Sequence, residues 1–326
     1  MFGEKLKLSI NAFENRTDNL FLNTRAEGWI WDDLLARNSG SSTTRGAELE
    51  AGTFFRVGRN FTFSSAINIT SLNSTINEIY KDQVVIPIDG GQLLYQSGSR
   101  YPQFYGYLFE GVYSTSEEAT EANLVNSANI PFRAGDAKFK DISGPGGEPD
   151  GKISDFDKTS FGSPFPDLYG GMFNRLTYKR WMLEINLQFV SGNELFNYRR
   201  YLSENMTDFS NQSLNVEQRW RQEGDLTDTP RALLHDQVGN STFSSRWIED
   251  GSYIRLKSAA IRYIIPDEFG LFQSAEFYLT GTNLFTFTNY LGDPEVGRGY
   301  QNYQQGIDYG LLPNARTIIL GVKLGL

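Results

Sequence analysis

The sequence lacks cysteine and has a single histidine, His235, among its 326 residues. Without cysteine there are no disulfides, thiolate metal sites or cysteine nucleophiles, and one histidine cannot form a histidine-based metal cluster. No run of about 18 apolar residues is present, which excludes a transmembrane helix. Basic residues number 30 against 39 acidic ones, so the net charge is −9. Because nucleic-acid binding requires a basic face, we expect no nucleic-acid partner.

Enzyme motifs are also absent from the sequence. No pair of carboxylates lies in a recognisable acid–base context, no glycine-rich loop opens a helix, and a Ser-His-Asp triad would have to use His235. In its setting of Leu233, Leu234, Asp236 and Gln237, this histidine is typical of an ordinary loop residue. We therefore predict that the protein is not an enzyme.

Aromatic residues are abundant and favour β structure. They make up 14% of the chain, with 24 phenylalanines and 17 tyrosines, and 32 glycines accompany them. Aromatic residues fit the pleated, half-buried surface of a strand. The sequence is polar on average. This is compatible with membrane-spanning strands, because every second side chain of such a strand faces a polar lumen.

Alternation of apolar and polar residues predicts several long strands. In Trp181–Phe189 the odd-numbered residues are apolar, whereas Glu184, Asn186 and Gln188 are polar. Similar alternation occurs at residues 5–13, 46–55, 61–69 and 314–326, and less cleanly at 252–265 and 277–287. The segments are about 9 to 14 residues long, and a tilted strand needs about 10 to cross a bilayer. We therefore predict that the odd-numbered side chains of Trp181–Phe189 face lipid.

Short and long connections alternate between these strands. The short ones are Arg56–Asn60, Tyr178–Arg180 and Pro266–Ser274, and the long ones are Asn23–Ser42, Asn73–Asp167, Gly192–Gly251 and Thr288–Pro313. This layout is typical of an outer-membrane barrel. We predict an all-β fold, an antiparallel transmembrane β-barrel segment of about eight long strands with short periplasmic turns and long extracellular loops. The strand-like Phe104–Tyr113 then belongs to a surface loop.

Several segments together resemble the SusC/RagA-like TonB-dependent outer-membrane transporters. They are SFGSPFPDLYGGM (160–172), RWIEDGSYIRLKSAAIRYIIP (246–266), FYLTGTNLFTFTNYLGDPEV (277–296) and LPNARTIILGVKLGL (312–326), with RGAELEAG near Arg45 and GDAKFKDISG near Gly135. They occur in the family's order across almost the whole chain.

The resemblance implies an importer of oligosaccharides or peptides in the outer membrane. Such transporters form a barrel of about 22 strands around a plug, take energy from TonB and are capped by a SusD-like lipoprotein. Residues 1–326 would be the C-terminal portion of that barrel, with the plug, the N-terminal strands and the TonB-contacting segment outside it.

Residues Asp141–Asp157 resemble a calcium-binding loop. In the twelve-residue pattern, Asp150 stands at the fifth position, Gly151 at the sharp turn and Asp157 at the closing carboxylate. Asp141 supplies the first ligand only if a five-residue insertion is allowed. A possible Ca²⁺ site formed by Asp141, Asp150 and Asp157 is thus weighed against an acidic surface turn rich in glycine and proline.

Aromatic residues in the long loops are candidates for ligand binding, since a ring face can stack on a sugar. The candidates are Trp220, Trp247, Tyr290, Tyr300 and Tyr303, and the two in the polar segment GRGYQNYQQG, Tyr300 and Tyr303, are the preferred ones. The alternative is that these rings pack inside the loops or form a girdle at the bilayer surface. A second functional hypothesis is a secreted or surface β-sandwich, acting as a carbohydrate-binding or adhesin module, whose apolar strand faces would converge on one core.

Overall fold

The computed structural model describes residues 6–25, 34–100, 102–265, 274–296 and 305–325. In chain order its strands are β1 (Leu6–Arg25), β2 (Leu34–Val57), β3 (Phe61–Glu78), β4 (Gln83–Ile88), β5 (Gly91–Gln96), β6 (Gln103–Gly106), β7 (Phe109–Val112), β8 (Val125–Asn126), β9 (Ala137–Phe139), β10 (Lys152–Ile153), β11 (Thr159–Ser160), β12 (Leu168–Tyr178), β13 (Trp181–Ser191), β14 (Glu194–Phe196), β15 (Ile248–Asp250), β16 (Tyr253–Ile265), β17 (Ser274–Thr288) and β18 (Thr317–Gly325). Two short helices, α1 (Ser116–Ala122) and α2 (Tyr198–Glu204), lie in the connections. No helix in these ranges has the length and apolar character needed to cross a membrane.

The long strands form one antiparallel sheet of eight strands. Its order is β1-β2-β3-β12-β13-β16-β17-β18, so neighbours in the sheet follow one another along the chain. The strands range from the 9 residues of β18 to the 24 of β2. The predicted set of about eight long antiparallel strands is therefore confirmed.

Most of the first predicted loop, Asn23–Ser42, is strand in the structure. β1 and β2 remain paired as far as Arg25 and Leu34, so only residues 26–33 separate them, whereas the sequence indicated a loop from Asn23 to Ser42. The added pairs include Leu22 with Arg37 and Asn23 with Ala36. Backbone hydrogen bonds extend this hairpin through residues without apolar alternation, which explains why periodicity did not reveal it.

Apolar side chains form continuous rows across one face of the sheet. One row contains Leu8, Ala51, Ile67, Met172, Leu187, Leu256 and Phe285, and another contains Phe55, Phe63, Leu176, Leu183, Ile261, Leu279 and Leu320. Leu8 is 60% exposed, Phe285 59% and Leu320 79%. A β-sandwich would bury such a face beneath a second sheet, whereas lipid covers it in a membrane barrel.

The opposite face is polar and carries a chain of ion pairs. Glu184 on β13 contacts Arg175 on β12 at 2.7 Å and Arg262 on β16 at 3.2 Å. Arg262 also reaches Glu276 on β17 at 3.4 Å. These alternating charges link four neighbouring strands, as expected for the lumen side of a barrel wall.

The strands are joined by tight turns at one end of the sheet. Val57 and Phe61 are separated by three residues that include Gly58, which has φ +61°, and Lys179 adopts φ 54° between Tyr178 and Trp181. The third expected turn, residues 266–273, lies outside the described residues. All described excursions, 79–167, 192–252 and 289–316, leave from the other end of the sheet.

Candidate functional site

The three excursions pack together into one body, here called the loop cap (the described residues of 79–167, 192–252 and 289–316). One apolar core joins Leu93 and Phe104 of the first excursion to Phe196 and Trp247 of the second and Ile307 of the third. The strand-like segment Phe104–Tyr113 forms parts of β6 and β7 here, outside the eight-stranded sheet, as predicted. The long connections are therefore an ordered layer over the end of the barrel wall.

A second apolar core supports the outer part of the first excursion. It contains Tyr113, Phe132 and Phe139, with Val238 contributed by the second excursion. These buried apolar side chains come from two separate excursions. They stabilise the cap as a unit, because separating the two excursions would expose the core that they share.

A cavity of about 470 Å³ lies between the loop cap and the polar face of the sheet. Its lining includes the amide side chains of Asn68, Asn186, Gln188 and Asn193, together with the ring of Tyr253. Gln188 donates a hydrogen bond from Nε2 to the Tyr253 hydroxyl at 3.1 Å. Amides and a hydroxyl both donate and accept, which suits hydroxyl and amide groups on an uncharged part of a ligand. We call this space the wall cavity.

Arg255 links the third excursion to the barrel wall through ion pairs beside this cavity. Its guanidinium pairs with the carboxylates of Asp293 and Glu295, and all three side chains are more than 90% buried. Lys257 adds a second cation, with Nζ 2.8 Å from Glu295. Burial alone acts to raise the pKa of Asp293, but hydrogen bonds from Arg255 and from the Asn314 N–H hold it below its usual range. A residue of β16 thus holds the segment that precedes residues 297–304.

The aromatic candidates have separate positions in the structure. Tyr300 and Tyr303 lie outside the described residues. Trp247 is fully buried in the core of the loop cap, and Tyr290 is 5% exposed with its hydroxyl donating to Asp308 Oδ2 at 2.6 Å. Burial, followed by this hydrogen bond, raises the pKa of Tyr290. Both rings therefore pack inside the cap in this structure, and their predicted ligand-binding role stays a prediction.

Trp220 is half-buried and also has a structural contact. Its ring lies against Gly135, where an added Cβ would come within 2.4 Å of it, and its Nε1 donates to the Ser114 carbonyl at 3.0 Å. These contacts link the second excursion to the first. The predicted ligand-binding role of Trp220 stays a prediction.

The acidic turn is held by its own hydrogen bonds. Asp157 is fully buried and accepts from the N–H groups of Ile142 at 2.7 Å and Ser154 at 2.7 Å. Asp141 accepts from the Gly151 N–H at 2.8 Å through Oδ2, while its Oδ1 is buried and has no partner among the described residues. Burial, and further the nearby Asp157 charge, raise the pKa of Asp141.

The described carboxylates do not converge on a metal position. In the part of the chain that the structure describes, no three or more Asp, Glu or His side chains form a group that could hold a metal ion. Asp150 accepts from the Lys152 N–H at 3.0 Å and lies against Gly144. Calcium binding by Asp141, Asp150 and Asp157 therefore remains a sequence-based prediction.

Comparison with known proteins gives relatives over almost the entire chain. No family model matches it. It is 33% identical over 338 residues to TonB-dependent receptor P26 of Formosa agariphila and 29% identical over 341 residues to TonB-dependent receptor P3 of the same organism. Each alignment covers 99% of this chain and 33% of the relative, so the chain spans about a third of the length of the curated relatives it matches.

Solved structures show the same fold. The RagAB peptide transporter superimposes with a TM-score of 0.79 at 19% identity, covering 99% of this chain and 34% of the other. The RagAB peptide importer in the 'open-open' state gives 0.77 at 18% identity, covering 100% and 33%. At these low sequence identities, the structural similarity establishes that the fold is shared and nothing more.

An uncovered apolar face, a charged opposite face and long connections gathered at one end define the wall of an outer-membrane β-barrel. The receptor relatives and the RagAB structures make the assignment more specific. Over almost its entire length the chain is related in sequence to TonB-dependent receptors of the outer membrane, as its motifs indicated, and it shares the fold of the RagAB peptide transporter. Its relatives are receptors and transporters rather than enzymes.

Sequence reasoning missed the charged cluster beside the wall cavity. Arg255, Asp293 and Glu295 form one buried cluster, although Arg255 lies 38 and 40 positions from its partners. Charged residues at such separations give no local pattern. The segment Gly292–Val296 did contain a signal, because it places two acidic residues, Asp293 and Glu295, shortly after a predicted strand.

Proposed function

We propose that this chain forms the C-terminal part of the barrel of a TonB-dependent importer, which takes up oligosaccharides or peptides across the outer membrane. The observation that supports this most directly is the wall cavity, which lies on the polar side of the sheet beneath the loop cap. A ligand held there contacts the barrel lumen and the outer loops at once. The sequence relationship to TonB-dependent receptors and the fold shared with the RagAB peptide transporter support the same function.

The energy source and the partner follow from the family. TonB would act through the part of the receptor outside this chain, and a SusD-like lipoprotein would close the loop cap from outside. Three large apolar side chains of the second excursion favour an outer partner: Phe209 is 93% exposed, Leu214 82% and Leu226 91%. Apolar side chains of this size are commonly buried on binding another protein.

Uptake of labelled oligosaccharides and peptides by intact cells tests the proposed function. We expect Asn186→Leu, which keeps the side-chain size but removes both hydrogen-bonding groups from the wall cavity, to reduce uptake with unchanged receptor levels. The matched control is Asn11→Leu on the polar face of β1, outside the cavity. Equal uptake by both variants and the unmodified receptor would contradict a role for the wall cavity. Import of neither ligand class by the unmodified receptor would contradict the function itself.

A further inference from the structure

The polar face of β12 carries an exposed aromatic ring next to a glycine. Tyr169, Gly171 and Phe173 follow one another on this face, because side chains alternate along a strand. Tyr169 is 39% exposed and Phe173 is 37% exposed. Residues four positions apart on a strand are separated by about 13 Å. A gap without a side chain therefore lies between two exposed rings on the lumen side of the barrel wall.

Gly171 gives this gap an open floor. Tyr169 and Gly171 both line the wall cavity. Apart from the chain neighbours of Gly171, two heavy atoms of the described residues lie within 4 Å of the position that its Cβ would take, the Leu187 carbonyl oxygen at 3.1 Å and Asn68 Oδ1 at 3.7 Å. A glycine inside a strand often marks a place where a ligand approaches the backbone closely. The space above Gly171 can therefore take a ligand group in contact with the sheet.

Amide side chains flank Gly171 on both sides. The sheet register places Asn68 of β3 and Gln188 of β13 opposite Gly171. Asn68 Oδ1 accepts from the Gly171 N–H at 2.8 Å, which leaves the Asn68 Nδ2 as a donor. The Tyr253 hydroxyl donates to Glu295 Oε1 at 3.2 Å, so it accepts from Gln188 Nε2 and leaves the Gln188 Oε1 as an acceptor. One side of the gap thus offers a donor and the other side an acceptor.

Charged groups around this gap are paired with one another. Lys257 and Glu295 line the wall cavity and form an ion pair with each other at 2.8 Å. Arg175, the next residue after Phe173 on this face, pairs with Glu184 at 2.7 Å. The gap therefore offers a ligand neutral hydrogen-bonding groups and aromatic rings, which suits an uncharged ligand unit.

A neutral sugar ring matches this arrangement. β3 and β13 lie on either side of β12, so the backbones that carry Asn68 and Gln188 are about 10 Å apart. A pyranose has hydroxyls on opposite edges, which both donate and accept, and an apolar C–H face that an aromatic ring can cover. We propose that the wall cavity binds a neutral sugar unit, with the Tyr169 ring stacked on its C–H face and Asn68 and Gln188 bound to hydroxyls on its two edges. The proposal rests on the proposed import function and narrows the ligand to a neutral oligosaccharide.

Calorimetric titration of the complete receptor, purified in detergent, tests the site. The probes are short neutral oligosaccharides of glucose, mannose, galactose or xylose, and uncharged peptides blocked at both ends. We expect at least one oligosaccharide to bind, and Tyr169→Leu to weaken its affinity about five- to tenfold, because leucine keeps apolar bulk but has no ring face. Tyr169→Phe should bind the same oligosaccharide within about twofold of the unmodified receptor, since the ring remains.

Tyr278→Leu is the matched control. Tyr278 lies on the same polar face of the sheet as Arg262, but its ring covers Gly321 of β18, where an added Cβ would collide with it. This tyrosine is not part of the lining of the wall cavity. The same change there should leave the affinity for the oligosaccharide unaltered. A comparable loss of affinity in Tyr278→Leu and Tyr169→Leu would overturn the proposal, because the effect would not depend on the ring beside Gly171.

The affinity of Tyr169→Leu decides between stacking and packing. An affinity equal to that of the unmodified receptor would overturn the proposal. If this variant then also melts at a lower temperature without ligand, the ring packs against the rest of the receptor instead. Failure of all the oligosaccharides to bind would overturn the assignment to sugars, whether or not a blocked peptide binds. Uptake of peptides by intact cells would in that case still support the proposed import function, so the two proposals can fail separately.

Discussion

Asp136 and Arg231, 95 positions apart in the chain, form a bidentate ion pair between two excursions, with the aspartate fully buried and the arginine 29% exposed. Arg231 Nε lies 2.7 Å from Asp136 Oδ1, and Nη2 lies 3.2 Å from Oδ2. Asp136 is fully buried and also accepts from Asn240 Nδ2 at 3.0 Å. The first and second excursions are therefore joined by a charged contact as well as by apolar cores, which supports the description of the loop cap as one folded body.

Removing Asp136 should loosen the loop cap. Asp136→Ala leaves the Arg231 cation partly buried without its carboxylate, and breaking a buried pair from one side costs about 3–5 kcal/mol. We expect proteases to cleave residues 79–167 and 192–252 faster in the variant receptor. Glu14→Ala serves as the control, because it breaks the exposed Glu14–Arg45 pair on the barrel wall and should cost at most about 1 kcal/mol. Equal protease resistance of the two variants would show that the cap does not depend on the buried pair.

The two faces of β13 should respond oppositely to a new charge. Leu187→Arg places a cation in an apolar row facing lipid and should cost roughly 2–4 kcal/mol of folding free energy in a bilayer. Asn186→Arg places the same cation on the polar face one residue away and should cost much less. Folding titrations in lipid vesicles measure both values. A larger cost for Asn186→Arg would mean that the sheet is oriented the other way round.

Arg255 should control the mobility of the third excursion. Arg255→Met leaves the buried carboxylates of Asp293 and Glu295 without their main cation, so we expect residues 289–296 to exchange their amide hydrogens faster. Lys257→Met should have a smaller effect, since the Lys257 side chain is 32% exposed and contributes a less buried contact. Hydrogen exchange read by mass spectrometry compares the two variants. Unchanged amide hydrogen exchange in Arg255→Met would show that the ion pairs of Arg255 do not hold the third excursion in place.

Asp141 should make the acidic turn sensitive to pH. Its pKa is raised by burial first, so in the absence of a cation the charged form destabilises the fold, and stability is regained as pH falls through the raised pKa. Asp141→Asn should therefore raise the melting temperature at pH 7 and have little effect well below the carboxylate pKa range. If calcium occupies the turn, Ca²⁺ should stabilise the unmodified receptor and not Asp141→Asn. A lower melting temperature for Asp141→Asn at pH 7 without calcium would contradict this account.

The barrel wall was predictable because alternation is a local signal. Leu183 to Phe189 alternate without interruption, and the facing they predict agrees with the row that runs from Phe55 to Leu320. The upper part of the first hairpin was not predictable, since its added pairs, such as Asn23 with Ala36 and Thr24 with Leu35, join segments that show no apolar–polar alternation.

The site was less predictable than the wall. The sequence marks Trp247 and Tyr290 as candidate ligand-binding rings of the long loops. The structure buries both through contacts between separate excursions, which no single segment encodes. Gln188 was correctly placed on the polar face, but its contact with Tyr253 joins residues 65 positions apart.

Site-directed labelling of intact cells tests the central claim most directly, namely that the loop cap lies outside the cell and the tight turns lie on the periplasmic side. This chain contains no cysteine, so a cysteine introduced at Asp150 in the loop cap or at Gly58 in the first turn is a unique target within it. Both positions are exposed in the structure. We predict that a membrane-impermeant thiol reagent labels the Asp150→Cys receptor on intact cells and labels Gly58→Cys only after the outer membrane is permeabilised. Labelling of Gly58→Cys on intact cells, with Asp150→Cys protected, would contradict the account.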